Sequence, residues 1–88
     1  MKHKNFEMIT VLMEDRVELV KNLEKAQRLT EEMKSEVREN PLLTISGHSE
    51  NLCLEKDRDY KLTLLILSKF IVKIIGLIEY IDKKLETL

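Results

Sequence analysis

Little in this 88-residue chain can break it or staple it together. It has one cysteine, Cys53, one proline, Pro41, two glycines, Gly47 and Gly76, and no tryptophan. A lone thiol excludes an intramolecular disulfide framework and fits a reducing compartment. So few turn-forming residues, with aromatics at 5%, argue against an all-β domain, which needs frequent turns between short strands. An excess of either charge is also missing: 15 Lys and Arg stand against 16 Asp and Glu, for a net charge of −1. Without a basic excess or stripe the chain lacks the footprint of a nucleic-acid binder, and without an acidic excess it does not read as a DNA mimic. The basic start Met1-Lys2-His3-Lys4 leads into Glu7, Glu14 and Asp15 rather than an apolar run. No signal peptide is therefore expected, and the cytoplasm is the expected location.

Motifs that carry chemistry are missing as well. There is no GxGxxG, no P-loop and no HExxH, and no nucleophile sits in the pattern of a strained strand-to-helix turn. His3, His48 and Cys53 are the soft metal-ligand candidates, but a structural zinc site wants four ligands at close spacing. Neither a metal nor a cofactor is expected. The acidic pairs Glu14/Asp15 and Glu31/Glu32 fall on a helix predicted to be exposed and read as solvated charge. Enzymatic pockets need a concave wall built from several elements, so a non-catalytic protein is expected.

What the chain does have is a heptad seam. Tyr60, Leu64, Leu67, Ile71, Ile74, Ile78, Ile81, Leu85 and Leu88 follow one another at alternating spacings of four and three. That spacing keeps one stripe of a helix facing a neighbouring helix. The seam does not use up the apolar residues: Leu62, Leu65, Ile66, Phe70, Val72, Ile75, Leu77 and Tyr80 lie outside it, and only Lys69, Lys73 and Gly76, with Ser68 beside them, interrupt the surface. An ordinary surface helix has one apolar stripe and a broad polar face, so this one must be covered on several sides.

Lipid is one possible cover. Leu62–Ile81 is long enough to span a bilayer, and its thirteen Leu, Ile, Val and Phe residues contribute about −4 to −8 kcal/mol on an insertion scale. Lys69 and Lys73 near its centre cost about 5–7 kcal/mol together, and Glu79 adds to that. The sum lies near zero, so the favoured reading is a helix buried in a soluble oligomer, with membrane association as the alternative.

An earlier helix is predicted over residues 5–39, with Asn5 as its N-cap. Its seam runs Ile9, Leu12, Arg16, Leu19, Leu23, Ala26, Thr30, Met33, Val37, with polar residues at Arg16 and Thr30, and Phe6, Met13, Val17 and Val20 form a second strip. The pairs Glu24–Arg28, Arg28–Glu32 and Glu31–Lys34 sit at helical spacing, each worth about 0.2–0.5 kcal/mol. Asn40, ahead of Pro41, is disfavoured in a helix, which sets the end. The connection, residues 40–56, contains two short apolar runs, 42–45 and 52–54, around a polar turn with Gly47. It is either a β-hairpin or an irregular loop. About 15 residues is long for such a connection, which makes Leu42, Leu43, Ile45, His48 and Leu52 the candidate partner-binding tip. The later helix is predicted over 57–87, capped by Asp57 or Asp59.

Two long helices of similar length joined by one reversal predict an all-α fold: an antiparallel helical hairpin, a single domain over residues 1–88. One hairpin leaves too much apolar surface exposed for a monomer. Two hairpins forming a four-helix bundle, with the later helix central, would cover it, and isoleucine at Ile71, Ile74, Ile78 and Ile81 favours a core of more than two helices. The predicted oligomer interface is Leu64, Leu67, Phe70, Ile71, Ile74, Ile78, Ile81 and Leu85. The expected partners are a second copy, a dimer before a higher oligomer, and another protein. The expected role is that of a small inhibitor, adaptor or regulator. The alternative is a co-chaperone or subunit whose apolar helix is covered by a different chain. Lys61, Lys69 and Lys73 read as a solvated stripe or as an anion contact at a subunit interface. Gly76, in mid-helix, costs about 1 kcal/mol relative to Ala, which suggests close approach of another helix or a tolerated defect.

Overall fold

The computed structural model describes residues 2–36 and 39–88; of residues 2–4 it describes the backbone alone. Helix α1 runs Lys2–Lys34, strands β1 and β2 run Leu43–Ser46 and Asn51–Leu54, and helix α2 runs Tyr60–Glu86. The molecule is mostly helical, with two packed helices and a small two-stranded sheet, so the all-α expectation holds for the frame and misses the sheet. The helices are antiparallel: Arg16 meets Asp82 near the termini, while Met33 shares a core with Leu67 near the connection.

The helix ends differ from expectation. α1 begins at Lys2, so Asn5 lies within the helix and does not cap it. It ends at Lys34, five residues before the expected limit. The Ser35 amide donates to the Glu32 carbonyl at 3.2 Å, an i→i−3 bond that tightens the last turn. Pro41 marks only the farthest point a helix can reach, and its peptide with Asn40 is cis. Val37, the last expected seam residue, lies outside the described residues. α2 starts at Tyr60, with Asp59 in the cap position, but the Asp59 carboxylate does not cap the helix. It turns back to accept from the Glu55 amide at 2.9 Å and from the Arg58 guanidinium. The Asp59 carbonyl takes both the amide and the hydroxyl of Thr63, each at 2.8 Å, which leaves Thr63 fully buried and satisfied.

The connection is a β-hairpin. Leu43 pairs with Leu54, Thr44 with Cys53, Ile45 with Leu52 and Ser46 with Asn51. The Gly47 amide donates to the Glu50 carbonyl at 2.7 Å across the turn, and a Cβ on Gly47 would lie 3.1 Å from that same oxygen. Close backbone approach is what glycine supplies here. Directly opposed residues share a face, so Leu43, Ile45, Leu52 and Leu54 form an apolar face, while Thr44, Ser46, Asn51 and Cys53 form an exposed one. The side chain of Asn40 accepts from the Lys56 amide at 2.8 Å and clips the two ends of the connection together.

The core is the meeting of the two seams. Ala26, Met33 and Leu67 are buried together, with Leu29, Leu42, Tyr60, Leu64 and Ile71 packed against them. Ile74 and Ile81 continue the buried line toward the termini. The two polar seam residues of α1 are accommodated by pairing. The Thr30 hydroxyl donates to the Ala26 carbonyl at 2.8 Å, which hides it from the core. Arg16 reaches across to Asp82, with Nε 2.7 Å from Oδ1.

Candidate interaction surface

The molecule measures 55 × 29 × 16 Å, the thickness of a single layer of helices. Domains ordinarily bury their apolar stripes between two packed layers; here one layer must suffice. Among the described residues six hydrophobic side chains are buried and fifteen large ones stay exposed, with the half-buried ones between them.

The expected interface residues divide sharply. Leu67, Ile74 and Ile81 are buried, and Leu64, Ile71, Ile78 and Leu85 half-buried, within the chain's own helix pair. Of the eight, Phe70 alone is exposed. The seam is thus occupied largely by α1, and the apolar residues that remain free are those beside it: Leu62, Leu65, Val72, Ile75, Leu77 and Tyr80.

These free residues fall on two faces. The β-hairpin lies over one. There Leu43 and Ile45 approach Ile66 and Phe70 of α2 and Asn22, Lys25 and Leu29 of α1, enclosing an apolar cleft of ≈ 340 Å³. Leu77 continues this side of α2 along the 3.6-residue repeat. The opposite face has no hairpin. By the same repeat it carries Leu65, Val72 and Ile75 of α2 and Phe6, Met13 and Val17 of α1, all exposed.

The expected tip residues behave unequally. Leu42 packs on the core and bonds through its amide to the Leu54 carbonyl at 2.8 Å, so it is structural. Leu43 is half-buried at the cleft. Ile45 and Leu52, paired across the hairpin, are 47% and 57% exposed, and His48 is exposed in the turn. The hairpin therefore anchors by its base and presents its outer apolar pair beside the cleft.

Charge on this surface is mostly unengaged. Lys69, Lys73 and Glu79 are exposed, and no ion pair or hydrogen bond among the described residues holds them. The three helical pairs expected on the later half of α1 are likewise open within the described residues. Where charges do meet, the effect is local. Asp59 is held below the usual carboxylate range by the hydrogen bond from Arg58, then by the Glu55 amide, and Arg16 is raised above its ordinary value by the hydrogen bond and charge of Asp82. The described residues contain no group of three or more metal-ligating side chains; the His3 side chain lies outside them. Among the same residues no helix is long and apolar enough to cross a membrane.

Sequence reasoning missed the Arg16–Asp82 bridge and the cleft. The first had a faint signal, an arginine on an apolar seam needing a partner. The second depends on how the hairpin folds back, which no spacing reports. No known protein family, curated protein or solved structure matches the chain.

Proposed function

We propose that this chain is a small, non-catalytic cytoplasmic protein that associates with a second copy of itself through the free apolar surface of α2. It then binds another protein through the hairpin tip, as an inhibitor, adaptor or regulator. The observation that carries the reading is that fifteen large apolar side chains stay exposed among the described residues of a molecule one layer thick. Contiguous apolar surface of this extent marks an interaction site. A second copy packed on α2 would cover part of it, giving a four-helix arrangement with the α2 helices central. The balanced charge and the lone cysteine fit this role and this location.

The cleft favours a second binding event, with a different protein. An apolar recess flanked by the exposed pair Ile45 and Leu52 suits one or two apolar side chains of a partner. The reading in which a different chain covers α2 makes the opposite demand on the isolated protein, which would then aggregate alone. Light scattering after size exclusion, without detergent, separates these. A homogeneous dimer supports the proposal; aggregation or a strict need for detergent overturns it.

A further inference from the structure

Gly76 stands in the middle of α2, where glycine costs about 1 kcal/mol relative to alanine. Nothing in the protomer accounts for it: a Cβ built there meets no atom within 4 Å. One turn before it stands Val72, 68% exposed. Both belong to a second 3–4 repeat, Leu62, Leu65, Lys69, Val72, Gly76, Glu79, on the side of α2 away from its seam. Lys69 and Glu79, the charged members of this repeat, have no partner among the described residues.

The last four members of this repeat are self-complementary when read in opposite directions. Val72 and Gly76 lie two residues either side of Ile74, and Lys69 and Glu79 lie five. We infer that α2 packs antiparallel against α2 of a second copy about a two-fold axis at the level of Ile74. Val72 then fills the space over Gly76 of the other copy, and Lys69 pairs with Glu79 of the other copy, each contact made twice by symmetry. Glycine permits the helix axes to approach closely at the crossing. This inference rests on the self-association proposed above and names its contact.

The test compares the dimer dissociation constants of the full chain and four variants by sedimentation, with circular dichroism as the check on helicity. Lys69→Glu and Glu79→Lys each place like charges together twice and are expected to weaken the dimer about tenfold. The double variant restores opposite charges and is expected to return within about threefold of the parent. Gly76→Leu is expected to weaken the dimer at least about tenfold while helicity is kept, because the open space at Gly76 accepts a side chain in the protomer. A dimer indifferent to all four variants, or one the double variant fails to rescue, overturns this contact and leaves self-association standing. A parent chain that is monomeric at every concentration overturns both.

Discussion

The two ends of the helix pair are built on the same seam and differ in what lies over it. Near the connection, Ala26, Met33 and Leu67 share a cluster with Leu42, and Leu43 of the hairpin meets Ala26 and Leu67 at the cleft. Near the termini, Ile74 and Ile81 are buried by the opposing helix alone, and the line is flanked by the half-exposed Arg16–Asp82 bridge and by exposed Met13, Val17, Leu77 and Tyr80. A pair of helices buries a stripe; a third element is needed to enclose a cluster. The β-hairpin of the connection supplies that element at one end and on one face, and elsewhere the apolar surface stays exposed.

The largest expected effect tests this difference directly. Leu67→Ala should cost about 3–4 kcal/mol in denaturant unfolding, because it removes a member of the cluster that Leu42, Tyr60, Leu64 and Ile71 pack against. Ile81→Ala, equally buried in the protomer, should cost only about 2 kcal/mol, since the open flanks let the helices settle and let water in. Both are measured at one protein concentration low enough to keep the protomer unassociated. An Ile81 variant as damaging as the Leu67 variant would mean that the terminal end is as enclosed as the loop end.

Smaller effects probe the polar contacts. Arg16→Met should leave the unfolding midpoint almost unchanged, because both partners of its bridge are nearly half exposed and solvent screens them. Any loss should vanish at high salt. A large loss, independent of salt, would make the bridge a main support of the terminal end. The smallest effect lies at the start of α2. The Asp59 carboxyl is held below its unfolded value, so the stability it adds is present above the unfolded pKa of about 3.9 and is lost as pH falls through the lower folded value. The difference between the parent and Asp59→Asn should therefore be constant near neutrality and close as the pH falls below about 4. A gap that stays open at the lowest pH would assign the role to the Asp59 backbone.

Much of the frame was legible because helical spacing is a local property. Of the nine residues from Tyr60 to Leu88 that marked the seam, all but exposed Leu88 are buried or half-buried, while fully buried Thr63 lies off that line. Arg16 and Thr30 were legible as exceptions but not as solutions: Thr30 is solved four residues away, and Arg16 by a residue at the far end of the chain. The helix boundaries were misread where a general rule about proline stood in for a local hydrogen bond at Ser35.

The candidate site was legible by residue type and not by placement. The excess of apolar side chains on α2 could be counted from the sequence, and so could the mid-helix glycine and the apolar runs on either side of Gly47. Periodicity says which residues share a stripe; it does not say which stripe a distant segment will occupy. Only the tertiary structure decided that α1 takes the seam, that the hairpin folds over one face and leaves the other open, and that Gly76 has empty space before it. Those outcomes come from competition among surfaces brought together by folding, where burial against one neighbour removes a stripe from the reach of the next.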